Sequence, residues 1–289
     1  MLLFSALVGG SFSLGGQVAG EIAPAALNAL RFALASLIVG VAVVATTGLR
    51  AQNFHAPWRF MVMGSIFAGY FLLMFYGLQR ASAVSTSAVY TLTPVMAAGF
   101  GWLLLRQVTT LHMGMALLIG ALGALIVIFR ADWQAFVQLA VGPGEAIFFI
   151  GCVAHAFYTP LVRKLNRGEP AASFTLGMLL AGTGVLTLFG WSDIRATDWS
   201  NLRPLVWITI AYLAVFASAA TFVLLQFATM RLPSAKVMAY TYLVPSWVIL
   251  WDLAVGIAPP GGWVFAGPVL SALALLLLLR GERRHESDI

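Results

Sequence analysis

Two stretches of this chain carry more chemistry than their surroundings. "SAVSTSAVYTLTPV" runs from Ser82 to Val95 and "SAKVMAYTYLVPS" from Ser234 to Ser246, each inside a long apolar run that contains a proline. On a helix, positions i, i+4 and i+7 share a face. That spacing groups Lys236, Tyr240 and Leu243, with Trp247 continuing the face; in the earlier stretch it groups Thr86, Tyr90 and Thr93. A lysine backed by tyrosine and tryptophan can hold a carboxylate, while aromatic faces hold an apolar body or, by cation–π contact, an amine. Two readings of Lys236 stay open: it lines a polar cavity, or it snorkels to the cytoplasmic interface near Arg231.

Other polar residues fall on apolar segments. Ser13 and Gln17 share a face, Tyr70 lies mid-segment, Ser218 pairs with Thr221, and His155, Tyr158 and Thr159 cluster. Each could line the same cavity, although hydrogen bonding between helices is the commoner role for such residues. Glu145 and Asp252 lie toward segment ends and read as interfacial. Hydrolytic machinery is missing: no Ser-His-Asp set and no paired intramembrane aspartates occur, and the four histidines are scattered. "GGSFSLGG" (Gly9–Gly16) fails phosphate-loop spacing and reads as helix packing, as do Ala116, Gly120 and Ala124. No cofactor or metal is expected.

These residues must be positioned in lipid. The 289 residues are 61% hydrophobic and 9% charged, with mean hydropathy +0.94. A soluble domain carries roughly 25% charge, so the expected class is an all-α integral membrane protein. Only helices and closed barrels satisfy every backbone group in lipid, and apolar runs of about 20 residues are helical in length. Ten spans are predicted: Leu2–Val18, Ala25–Thr46, Trp58–Leu78, Ala83–Leu105, Leu111–Phe129, Glu145–Val162, Ala171–Phe189, Leu205–Thr229, Ser234–Ile257 and Trp263–Leu279. The first span lacks a basic leader and reads as retained rather than cleaved. Cys152 is the one cysteine, which excludes an intrachain disulfide.

The net charge of +6 reflects topology rather than nucleic-acid binding. With the N-terminus inside, cytoplasmic loops hold Arg50, Arg59, Arg106, Arg163, Lys164, Arg167 and Arg231, and the tail adds Arg280, Arg283 and Arg284. The opposite loops hold Arg80, Arg130, Arg195 and Arg203. This asymmetry favours both termini inside. Trp133, Trp191, Trp199 and Trp263 fall near the predicted outer boundary, and "RGERRHESDI" reads as a solvated tail.

Aligned on Pro94 and Pro245, the two opening stretches share Arg80/Arg231, Ala88/Ala239 and Leu92/Leu243. Each opens the fourth span of its half. Residues 1–135 and 136–289 are therefore read as two five-helix repeats. Five is odd, so the second repeat is inverted relative to the first, and inverted repeats place a central cavity at their seam.

Several segments together resemble the drug/metabolite transporter superfamily in its ten-helix, twice-repeated EamA form. They are "APAALNALRFALASLIVG" (Ala23–Gly40) with Pro24, Arg31 and Phe32; "GLQRASAVSTSAVYTLTPVMAAGFGWLLL" (Gly77–Leu105); "GEAIFFIGCVAHAFYTPLVRKL" (Gly144–Leu165); and "ATMRLPSAKVMAYTYLVPS" (Ala228–Ser246). The chain departs from the family's Gly-Glu pair after each fourth helix, reading "LLLRQVTT" and "AVGIAPPGG", and carries His155 where tryptophan is common. The resemblance implies a bacterial inner-membrane exporter with cytoplasmic termini, working by alternating access. Among its subgroups the aromatic amino acid exporters are the most similar. Lys236 would then hold a carboxylate, Tyr240, Trp247 and Tyr90 the apolar part, and Thr86 and Thr93 would offer hydrogen bonds. The expected partners are a small-molecule substrate and the bilayer, with no nucleic acid, in a monomer or alternatively a homodimer. A multidrug or other small-metabolite exporter is the alternative. Nucleotide sugars would call for more cations than Lys236, and an intramembrane enzyme or scramblase would need a catalytic dyad or a polar groove open to lipid, neither of which the sequence shows.

Overall fold

The computed structural model describes residues 1–129, 132–138, 141–258 and 265–286, with the side chains of 135, 136 and 278–286 excepted. Trp263, Arg130 and the side chains of Arg280, Arg283 and Arg284 lie outside this set. The apolar helices are α1 (Leu2–Val18), α2 (Pro24–Thr46), α3 (Trp58–Leu78), α4 (Ala83–Leu105), α5 (Leu111–Ile128), α6 (Pro143–Leu165), α7 (Ala171–Phe189), α8 (Pro204–Thr229), α9 (Ser234–Ala254) and α10 (Ala266–Glu286). Among the described residues α2 to α9 are long and apolar enough to cross a membrane, while α1 and the apolar part of α10, Ala266–Leu277, are shorter. The described residues contain no strand. Exposed Leu37, Val41, Trp102, Leu103, Leu118 and Leu188 lie on the outer surface, which suits hydrocarbon and not water.

Local sequence explains where helices start. Prolines occupy the first turns of α2, α6 and α8, where a missing N–H costs nothing. Ser82 and Thr110 accept the amides of Ser85 and Met113 at the starts of α4 and α5. Helix ends match the sequence expectation to within three residues for most spans. The last helix differs: it continues to Glu286, through a stretch read as solvated tail.

Three helices are irregular, and each irregularity has a cause. Pro94 cannot bond the Tyr90 carbonyl, and α4 breaks at Thr91–Leu92; the Thr93 hydroxyl donates to that carbonyl instead, at 2.6 Å. Before Pro245, α9 tightens into a 3-10 turn over Tyr240–Leu243. Midway along α8, Val215–Ala220 widens into a π-helix, a form that concentrates at functional sites.

The bundle packs α1 on α9, α4 on α6, α2 on α8, α3 on α6 and α7, and α5 on α10. Small residues set the closest approaches. A Cβ on Gly77 would sit 2.9 Å from the Gly144 carbonyl, and one on Gly64 would sit 2.6 Å from the Gly182 amide nitrogen, so α3 meets α6 and α7 backbone to backbone. Gly120 lies against the Tyr242 ring, and Tyr242 donates to the Leu117 carbonyl at 3.0 Å. The packing role read for Ala116, Gly120 and Ala124 is what the fold uses. Gly9 and Gly10, from "GGSFSLGG", likewise abut Trp247 and Tyr212.

Candidate functional site

Five helices bring aromatic rings to one point inside the bundle. Phe67, Tyr70 and Phe71 come from α3, Tyr90 from α4, His155 from α6 and Phe222 from α8, with Phe4, Val8 and Ser11 of α1 beside them. Phe67 is the hub: its centroid lies 4.3 Å from Tyr158, 4.5 Å from Phe222 and 5.3 Å from His155. Tyr70 stacks on His155 at 4.5 Å, and its ring centroid lies 5.9 Å from that of Tyr90. The void left between these rings is about 10 Å³, at the lower limit of what holds one water. No room for a solute is left between them. A larger groove of about 720 Å³ between α2 and α7 is lined by aliphatic side chains together with the hydroxyls of Ser36 and Thr183.

The structure divides the residues singled out from sequence. Tyr70, Tyr90 and His155 line the void, and Tyr158 stands behind Phe67, its hydroxyl 2.9 Å from the Met178 sulfur. Thr86 and Thr93 are buried but do not line the void; their hydroxyls turn back to the Ser82 and Tyr90 carbonyls. Gln17 lies near the end of α1 and reaches back to the Ser13 carbonyl at 3.4 Å. Tyr240 packs with Met113, Leu117 and Leu275 in a second cluster between α5, α9 and α10. Trp247 turns to α1 and donates to Ser5 at 3.1 Å. Lys236 is half-buried on the first turn of α9 and does not line the void. One helical face therefore does not hold Tyr240 and Trp247 together. The 3-10 turn between them advances about 120° per residue instead of 100°, which rotates everything beyond it.

Glu145 and Asp252, read as interfacial, are buried: Ser85 donates to Glu145 at 2.6 Å and Ser13 to Asp252 at 2.5 Å. Gln107, standing where the family motif has an acid, accepts the Ser234 amide at 3.0 Å and joins the end of α4 to the start of α9.

Sequence reasoning passed over Arg31. It is wholly buried on α2, lies 3.8 Å above the Phe71 ring, and donates to the Ser218 hydroxyl at 2.6 Å and the Ala217 carbonyl at 2.7 Å. Both acceptors belong to the π-helical turn of α8. The available signal was a cation inside a span, which is expensive and seldom idle. Ser11, Phe67 and Phe222 were missed because apolar and small residues in a greasy helix carry no distinguishing pattern.

Two ion pairs join segments distant in sequence. Arg59 donates to Glu169 and to the carbonyls of Leu165 and His55, each at 2.6 Å, with both charged side chains nearly inaccessible. Burial raises the Glu169 carboxyl, but hydrogen bonds from Arg59 and the Arg167 amide outweigh it and hold it below the usual carboxylate range. At the other end of the bundle Arg203 pairs with Glu21, and that hydrogen bond lowers the Glu21 carboxyl; this pair is exposed.

The described residues form a helical bundle with an apolar exterior and a cluster of buried aromatic rings inside it, as an integral membrane protein would. The comparisons with known proteins agree. The profile of the EamA-like transporter family matches residues 1–129 and 142–280, and the chain belongs to that family, within the drug/metabolite transporter superfamily. It is a membrane transporter. It is 25% identical to the uncharacterized transporter YyaM of Bacillus subtilis (strain 168) over 281 residues, covering 96% of this chain and 91% of that one. A solved crystal structure superposes with a TM-score of 0.75 at 21% identity, covering 99% of this chain and 97% of the other, which is a likeness of fold.

Proposed function

We propose that the protein exports small apolar solutes, aromatic amino acids foremost, across the bacterial inner membrane by alternating access. The observation that carries this reading is the aromatic chamber, closed to about 10 Å³ and built by α1, α3 and α4 of one half with α6 and α8 of the other. Phe67, Tyr70 and His155, stacked with centroids 4.5 to 5.7 Å apart, make a surface for a flat side chain. Tyr70, Tyr90 and His155 would touch the solute. Lys236, Tyr240, Trp247, Thr86, Thr93 and Gln17 would act around the chamber, in the movements that open it.

In this reading all ten apolar helices span, as two inverted repeats. The packing supports it. Replace each helix by the one five places along, and α1 on α9 becomes α6 on α4, α2 on α8 becomes α7 on α3, while α5 on α10 maps onto itself. The two separate family matches fall on the same halves. The Lys and Arg distribution supports cytoplasmic termini, which puts the Arg59–Glu169 clasp on the cytoplasmic side. A single chain contains the chamber, so the unit would be a monomer in the bilayer with no cofactor. The test is counterflow in proteoliposomes over a panel of amino acids, drugs and common metabolites. Accelerated exchange of aromatic amino acids is expected; exchange confined to other solutes would overturn the assignment.

A further inference from the structure

We propose that Arg31 is the anion-binding residue of the chamber, and that the solute is accordingly a small carboxylic acid with an aromatic or branched apolar body. The inference rests on the transport reading above and narrows its substrate class. It also moves the carboxylate-binding role from Lys236, which does not line the void, to a residue packed directly behind the void's wall, against Phe71 and Ala217.

A guanidinium does not give up its proton in proteins, so Arg31 carries a full charge inside a span. Among the described residues the ion pairs join Arg59 to Glu169 and Arg203 to Glu21, and no carboxylate reaches Arg31. Its compensation is neutral: one hydroxyl, one carbonyl and one ring face. The carbonyl is Ala217, in the π-helical turn, where the backbone departs from regular α-helix and α8 offers an acceptor to a side chain of α2. The third nitrogen, Nη1, has no partner among the described residues and is fully buried. Buried guanidinium N–H groups are rarely left unbonded. Phe71 and Ala217, two of the three groups that Arg31 touches, line the void. The guanidinium therefore stands directly behind the wall of the void.

A carboxylate supplies what is missing, an acceptor and a negative charge together. A neutral amide supplies the acceptor alone. The rest of the wall is Phe67, Phe71, Tyr70 and Phe222, which favours a flat or branched apolar body. On the α6 side, His155 Nδ1 is also buried without a partner and can bond an amine or a bound water. The rival account makes Arg31 a tie between α2 and α8 and nothing more, in which case the charge of the solute would be immaterial.

Competition separates the two. Proteoliposomes exchange labelled L-phenylalanine while unlabelled L-phenylalanine, 3-phenylpropionate or L-phenylalaninamide is added outside. The two acids should compete at least about tenfold more strongly than the amide, as one charge-assisted hydrogen bond requires. Arg31→Gln should narrow that ratio toward one, and Arg31→Lys should keep part of it. Should Arg31→Gln fail to fold, the acid-to-amide ratio in the unaltered protein still decides. Equal competition by acid and amide, with exchange intact, overturns the role of Arg31 and leaves the transport reading standing. No exchange of labelled phenylalanine at all overturns the aromatic solute reading, and this inference with it.

Discussion

Breaking the Arg59–Glu169 clasp should have an effect whose size depends on which partner is removed. Arg59→Leu strands a buried carboxylate and removes the donor to two carbonyls, those of Leu165 and His55. Breaking a buried pair in this way costs about 3–5 kcal/mol, and the lower end applies because Glu169 keeps the Arg167 amide at 2.6 Å. Glu169→Gln leaves the guanidinium its two carbonyls and a neutral acceptor, for a loss of about 1–2 kcal/mol. Arg59→Leu combined with Glu169→Leu removes the stranded charge, so the double variant should be more stable than Arg59→Leu alone by at least about 1 kcal/mol. The assay is thermal unfolding in detergent, where 3 kcal/mol corresponds to a fall of roughly 6–10 °C in Tm. Losses that simply add would refute the reasoning. The pH dependence follows from the same geometry. Because the folded carboxyl titrates below its unfolded value, its contribution is fully present above that unfolded value, about 4.3, and is lost as pH falls through the folded value. Glu169→Gln should flatten this acid limb.

Gly120→Val places a branched side chain where the Tyr242 ring packs, so it should lower Tm and separate α5 from α9; a Tm unchanged from the unsubstituted protein would contradict that packing. Arg203→Ala removes an exposed pair and should leave Tm unchanged within error, in contrast to Arg59→Leu. Lys236→Ala should slow exchange of L-phenylalanine more than Arg50→Ala while leaving its competition constant near that of the unsubstituted protein, because Lys236 lies away from the void. A large change in that constant would return Lys236 to the binding surface.

Much of this architecture was legible before any coordinates. Apolar runs of 17 to 26 residues announce helices by length alone, and Ser82, Thr110 and the first-turn prolines mark their starts. The chamber was legible only in part. Tyr70, Tyr90 and His155 were found because polar atoms in a greasy segment stand out. Tyr240 and Trp247 were grouped on a phase of 100° per residue, which the 3-10 turn at Tyr240–Leu243 does not keep. Arg31 was visible as a charge, but its acceptors come from a π-helical turn in α8, far along the chain, and "VFASAA" contains nothing that announces such a turn. Which helices meet is a property of the whole bundle, and the position of a void follows from it.

The central claim is that one chamber opens to each side of the membrane in turn. Ser11 lines that chamber and is 2% exposed, and Cys152 is the chain's single cysteine, so Ser11→Cys in a Cys152→Ala background yields one reporter thiol. A membrane-impermeant maleimide applied to oriented vesicles should modify that thiol from either face, and L-phenylalanine should slow both reactions. Modification from one face alone under every condition, or solely by a lipid-soluble maleimide, would contradict the account.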